Sequence, residues 1–561
     1  MRISQTSDLW WKNAIVYCLD PETFSDHDGD GCGDFGGLIQ RVDYLAALGV
    51  TCVWLMPFYP SPDRDDGYDI TDFYGVDPKL GTLGDVVEFI RSVKDRGMRV
   101  IADFVINHTS DQHPWFQEAR KSLDNPYRDY YVWRKDTPPD TSKQVVFPGE
   151  QDSIWTKDEA SGEWYLHRFA KHQPDLNIAN PKVRDEIAKA MGVWLQLGLD
   201  GFRLDAVPFF LETEGQPNDG DAEPHEYLSA LRRFINRREG GAIFLGEVNL
   251  PYKEQLKYFG VDGGELTMMF DFMAMQSMYL ALARQDARPL AKVLSGRPPI
   301  HTDNQWAMFV RNHDELTLDK LSDDERAEVF AAFGADKDMQ LYGRGLRRRL
   351  PSMLDGDPDR VRMVYSLLFS LPGTPTLFYG EEIGMGENLE QPGRSAVRTP
   401  MQWTDGRNAG FSDAPADRLI ARLVEGEFGP DNVNAAKAMR DPNSLWHFMA
   451  RLIQRYRACP ELGWGRFEVL KQRATSVLLH SCNWQDSVMV LAHNFSPEEA
   501  TVEGGLNLDS GHPKLPKDAV LLDLLGNRNV ELSEDGSFSL DLEPYGYRWF
   551  RVWQPGDNRL R

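Results

Sequence analysis

Eight short apolar, β-rich runs separated by stretches of helical periodicity constrain this chain more than any other feature. They are Ile15–Leu19, Thr51–Met56, Arg99–Val105, Gly201–Val207, Ala242–Val248, Leu266–Phe272, Ala307–Arg311 and Thr376–Tyr379. Strands alternating with helices imply a parallel sheet. Eight such units predict a closed (β/α)8 TIM barrel, an α/β fold. The intervening helices carry their own boundaries. From Thr82 to Gly97, Val86, Phe89, Ile90 and Val93 recur at helical spacing, with Thr82 placed to cap and Gly97 to stop. A second helix opens with Asn180-Pro181 and ends at Gly198.

Two connections exceed ordinary βα loops. Residues 108–180 are rich in Trp and Tyr and predict a domain inserted after strand three. Residues 316–356, charged and including Arg347-Arg348-Arg349, read either as a helical lid or as a solvated helical pair. The barrel then takes 1–107 and 181–469. Beyond 470, alternating strands such as Ser476–His480, Ser487–Asn494 and Tyr547–Val552 predict a C-terminal antiparallel β-sandwich over 470–561, with Glu503-Gly504-Gly505 and Asp509-Ser510-Gly511 as turns.

A net charge of −24 argues against nucleic acid and anionic membrane as partners, since both need basic patches. The N-terminal residues lack the apolar core of a secretory signal, and no apolar run is long enough to span a membrane. Five scattered cysteines without metal-like spacing read as reduced thiols, which places the chain in the cytoplasm. Self-association into a homo-oligomer stays open.

In such a barrel the chemistry sits at the carboxyl ends of the strands. Strand three ends Asp103-Phe-Val-Ile-Asn-His108, strand four reads Gly201-Phe-Arg-Leu-Asp205, strand five ends at Glu247, and strand seven ends Arg311-Asn-His-Asp314. Carboxylates inside apolar strands are costly unless paired. Arg203 and Asp205 share a strand face, which suits an ionised nucleophile. Glu247 has the longer arm for protonating a leaving oxygen, among Phe244, Leu245 and Val248. Asp314 would brace hydroxyls, with His108 and His313 as hydrogen-bond donors. Paired carboxylates of this kind perform retaining glycoside chemistry. A structural ion pair within the barrel is the plainer alternative.

Asp26, Asp28, Asp30, Cys32 (through its carbonyl) and Asp34 place oxygen ligands at every second position around Gly31, the start of an EF-hand-like calcium loop. Position twelve is Gly37, so the bidentate Glu of a full EF-hand is missing.

These strand ends resemble the α-amylase family of glycoside hydrolases and transglycosidases, in the family's order and over essentially the whole chain. The resemblance implies the barrel, the insertion, the sandwich and the roles proposed above. It adds Asp65 and Tyr68, from Asp65-Asp-Gly-Tyr68, to the first sugar pocket, with Tyr68 stacking under the ring. It adds Arg398 to the substrate site and Asn107 with Asp175 as a second ion site. Gln173-Pro-Asp-Leu-Asn177 looks like the motif of the oligosaccharide-acting branch, in which the acidic loop holds Ca²⁺. No organic cofactor is implied, and the implied partner is a small α-glucoside. Arg347-Arg-Arg-Leu350 and Arg398-Thr-Pro-Met-Gln-Trp403 are similar to members that interconvert maltose and trehalose. Cys18–Phe24 and Val248-Asn-Leu-Pro251 depart from them. Maltose–trehalose interconversion is therefore the expected reaction. An α-glucosidase or transglucosylase is the alternative, and Ala206 favours α-1,4 over α-1,6 linkages. Non-catalytic transporter-subunit relatives are the remote third reading.

Overall fold

The computed structural model describes residues 9–211, 224–506 and 519–553. Eight parallel strands close into a barrel: β1 (Val16–Leu19), β2 (Cys52–Leu55), β3 (Arg99–Phe104), β4 (Gly201–Leu204), β5 (Ile243–Gly246), β6 (Met268–Phe270), β7 (Gln305–Met308) and β8 (Thr374–Phe378). Each neighbours the next in sequence, and β8 returns to β1 through the pair Val16↔Thr376. All eight match an apolar run of the sequence. Their residues are buried almost without exception, as expected of strands covered on both faces.

The helices follow their local signals. Thr82 and Asp85 form a capping box at the start of the helix Leu83–Asp95, and Gly97 takes φ +73° just past its end. Asn180 caps the helix Pro181–Leu197, which stops at Gly198 with φ +115°.

The segment after β3 forms a small antiparallel sheet of Trp133–Arg134, Trp164–Leu166 and Trp155–Lys157, with a core of Val132, Ile154, Trp155 and Leu166. It is tied to the barrel rim through Leu176 N–H, which donates to the Asn107 carbonyl at 2.8 Å.

Two expectations are corrected by the packing. The segment 316–356 is not a helical pair. It holds the helix Asp323–Phe333, a short 3-10 turn Lys337–Met339, a three-stranded sheet of Leu316–Thr317, Gly345–Leu346 and Gln340–Leu341, and a final one-turn helix Leu350–Met353. Its three arginines are not solvated either. Arg347 donates to the Leu389 carbonyl, Arg348 pairs with Glu387, and Arg349 donates to the Tyr379 and Val397 carbonyls. Helical periodicity could not reveal this, because the partners Tyr379, Glu387, Leu389 and Val397 lie far along the chain.

The C-terminal region has a six-stranded antiparallel sheet that begins at Arg466 and a two-stranded one, Ala500–Gly505 with Ser537–Leu542. Glu503–Gly505 therefore lies in a strand, where its partner Ser537–Ser539 satisfies the ladder. Asp509–Gly511 lies outside the described residues. All five cysteines are buried and unpaired. Among the described residues no helix is long and apolar enough to cross a membrane.

Candidate active site

Arg203 sits in the middle of β4 with its side chain fully buried at the rim. Its Nη1 donates to Asp103 and to Asp205 Oδ1 (2.7 Å), and its Nη2 to Glu247 Oε2 (2.8 Å). One guanidinium thus carries three carboxylates from β3, β4 and β5. The chain leaves β4 through Ala206, whose φ of +48° is strained for a residue with a Cβ. That turn directs the Ala206 N–H to Glu247 Oε2 at 3.3 Å.

Burial is the dominant influence on both acids. It raises Asp205 to about 6 against the opposing field of Arg203. It raises Glu247 to about 7, again against Arg203, with Asp205 and Asp314 adding to the rise. Arg203 alone does not hold Asp205 at the ordinary carboxylate value, because burial and the neighbouring charges of Asp103, Asp314 and Asp65 outweigh it.

Asp314 has the opposite environment. Burial pushes it up, but the guanidiniums of Arg394 (2.9 Å) and Arg398 (3.0 Å) hold it well below the usual carboxylate range. Arg398 also donates to the His313 carbonyl at 2.8 Å and pairs with Asp66. His313 Nε2 lies 2.7 Å from the Tyr68 hydroxyl, and the two rings stack 5.7 Å apart at 13°. Burial lowers His313 well below its ordinary value and His108 to about 3, so both are neutral near pH 7. His108 Nε2 is buried without a partner at the pocket wall. Asp65 accepts from Gln173 Nε2 at 2.7 Å, which links the cavity wall to the Gln173–Asn177 motif. Burial raises Asp65 to about 6.

Asp65, Tyr68, His108, Asp205, Glu247 and Asp314 line one cavity of about 370 Å³, within the range of small-ligand sites, about 300–1,000 Å³. Arg203, His313 and Arg398 stand behind that wall and position it. Sequence reasoning missed several contributors. Asp103 ends an apolar strand and was open to the same argument as Asp205. Arg394 was not, since it lies in a short 3-10 helix, Gly393–Val397, far from the strand ends. Phe147 and Phe169 from the insertion, with Phe209 after β4, line the cavity. In the same cavity wall, Asp319 Oδ1 accepts from Asn249 (2.9 Å), Thr317 (3.1 Å) and Gln276 (3.2 Å), while Asn249 Oδ1 is buried and unpartnered. Thr317, Asp319 and Lys320 bring the segment 316–356 into the wall.

The acidic loop brings Asp26, Asp28 and Asp34 together, one carboxylate oxygen of each within 4.8 Å of the others. Asp30 is not in that group; its Oδ1 accepts from the Cys32 N–H at 2.8 Å. Gly31 has φ +105°, and a Cβ there would meet the Arg418 carbonyl at 2.2 Å. Asn107 Nδ2 donates to Asp175 Oδ1 at 3.0 Å, so those two candidates are brought together.

The family described as alpha amylase, catalytic domain, matches residues 18–333 and 347–465, and that of the sucrose hydrolase-like C-terminal domain matches 487–551. Trehalose synthase of Pimelobacter sp. (strain R48) is 38% identical over 97% of this chain and 96% of its own length. Trehalose synthase/amylase TreS of Mycobacterium tuberculosis is 42% identical over 97% and 90%. The crystal structure of the trehalulose synthase MutB from Pseudomonas mesoacidophila superposes with a TM-score of 0.75 at 27% identity, covering 97% of this chain and 99% of that one. With a barrel whose rim gathers three acids, and matches of this extent, the chain belongs to the α-amylase family.

Proposed function

We propose that this enzyme transfers an α-glucosyl group with retention and interconverts maltose and trehalose. The observation that carries the reading is the single guanidinium shared by Asp205 and Glu247. Two carboxyls bonded to the terminal nitrogens of one arginine are held close together, as double displacement requires. The names of the relatives at 38% and 42% identity support the choice of substrate.

Asp205, ionised, attacks the anomeric carbon of maltose while Glu247, protonated, gives its proton to the departing glycosidic oxygen. A glucosyl ester on Asp205 and free glucose result. Asp314, kept ionised by Arg394 and Arg398, accepts hydrogen bonds from ring hydroxyls. The freed glucose turns within the closed cavity and presents its anomeric hydroxyl. Glu247, now a carboxylate, takes that proton as the hydroxyl oxygen displaces Asp205, and trehalose forms. Water in place of glucose gives hydrolysis, the alternative reading as an α-glucosidase.

The loop residues Asp26, Asp28 and Asp34 supply hard oxygen donors of the kind Ca²⁺ takes, and we place a structural ion there. It would brace the loop and take no part in the reaction.

The purified protein is given maltose, then trehalose, and the sugars are followed by NMR. Trehalose from maltose with little glucose is the expected outcome; glucose alone would sink the isomerase. Asp205→Asn should abolish both products, and substantial residual turnover would remove Asp205 from the nucleophile role.

A further inference from the structure

A second cavity of about 730 Å³ opens at the opposite end of the barrel. Its wall takes in Lys12 just before β1, Gln305 and Trp306 at the start of β7, Pro372 just before β8, and the first strand of the C-terminal sheet. In a parallel barrel these are the amino ends of the strands, remote from Asp205.

Lys12 is 6% exposed. Its ammonium donates to the Asn304 carbonyl at 2.7 Å and stands 5.5 Å from the centre of the Trp464 ring. Among the described residues no carboxylate lies within ion-pair distance of it. A buried ammonium without a counter-charge is costly. Burial accordingly lowers Lys12 to about 8, Asp303 opposes that, and Arg297 adds to it. Arg297, itself on the cavity wall, pairs with Asp271 at 3.1 Å. Arg466 and Glu468 also face the cavity and have partners of their own. Beside Lys12, the Trp464 and Trp484 rings lie 5.3 Å apart at 39°. Such faces suit the C–H surface of a pyranose.

We propose that this cavity binds a small sugar phosphate, with the phosphate on Lys12 and the sugar ring against Trp484. The buried cation, with no carboxylate at ion-pair distance and only the more distant charge of Asp303 to offset its burial, calls for an anion, and the adjoining indoles call for a ring; one ligand class supplies both. The site stands apart from the glucosyl-transfer site and does not depend on how that site is read.

Isothermal titration of the full chain with glucose 6-phosphate, inorganic phosphate and glucose tests it. Glucose 6-phosphate should bind more tightly than phosphate, which reports the ring contact, and far more tightly than glucose, which reports the charge. Lys12→Met should weaken both anions about tenfold or more, the worth of a charge-assisted hydrogen bond, with kcat and KM for maltose unchanged. Lys12→Arg should retain binding, and Trp484→Ala should weaken glucose 6-phosphate but not phosphate. Equal anion binding by wild type and Lys12→Met, glucose binding as tightly as its phosphate, or no binding of either anion would overturn the proposal. Should Lys12→Met fail to fold, Trp484→Ala decides alone: unchanged preference for glucose 6-phosphate over phosphate rejects the site.

Discussion

Arg203 donates to Asp103, Asp205 and Glu247 at once, and burial outweighs its charge at each. Turnover needs Asp205 ionised and Glu247 protonated. As pH rises through about 6, Asp205 loses its proton and kcat/KM for maltose climbs; above about 7, Glu247 loses its own and the rate falls. These limbs belong to the coupled pair and not to either residue alone. A profile flat from about pH 5 to about 9 would contradict the assignment. Glu247→Gln should lower kcat on maltose by about 10²–10⁴-fold. In kcat/KM, which reports formation of the glucosyl-enzyme, the loss should be much smaller on an aryl α-glucoside, whose leaving group departs without protonation; an equal loss in kcat/KM on both would show that Glu247 is not the acid. Asp205 was legible because a charge inside an apolar strand demands explanation. Arg394 was not, because nothing near it in sequence shows that it meets Asp314.

Between the elements, the acidic loop is braced by a distant segment. The Asp26 N–H donates to the Phe411 carbonyl at 2.9 Å, the Ser412 hydroxyl donates to Asp26 Oδ2 at 2.5 Å, and the Ile420 N–H to the Gly31 carbonyl at 2.9 Å. That segment contains Asn408, Ala409 and Gly410 in succession at positive φ and lies shortly after Arg398. An ion in the loop would stabilise the fold by mass action. Chelation should therefore lower the melting temperature by several degrees and added Ca²⁺ restore it, while Asp26→Ala should melt lower and ignore both. A wild-type melting temperature indifferent to chelator would remove calcium from the loop. The alternating ligands and Gly31 were readable in sequence. The brace was not, since it joins residues nearly four hundred positions apart.

At the scale of the molecule, the C-terminal sheet docks on the barrel through buried imidazoles. His493 Nε2 meets the Ser366 hydroxyl at 3.0 Å, and His480 Nε2 lies 3.0 Å from the Ser370 carbonyl, both on the helix Pro358–Ser370. Burial lowers His480 to about 4 and His493 well below its ordinary value. Unfolded histidines bind protons from about pH 6.5 downward, whereas these stay neutral in the fold. The unfolded chain thus binds more protons in that window, and the contribution to stability, full above about 6.5, is lost as pH falls toward 4. The gap in melting temperature between wild type and His480→Gln should narrow on acidification. A gap constant with pH would show that protonation of His480 does not couple to docking.

The sequence by itself determined the eight strands, the helices with their caps and the rim positions of Asp205, Glu247 and Asp314. Each is written in a period of two or 3.6 residues or in a capping residue, and such patterns are complete within a few turns of chain. Only the tertiary structure decided that Arg394 and Arg398 keep Asp314 ionised, that Phe147 and Asp319 line the pocket, and that Lys12 faces a cavity without a carboxylate at ion-pair distance. Those contacts join loops and termini whose sequences carry no period. Their partners are chosen by how the closed barrel brings its ends together.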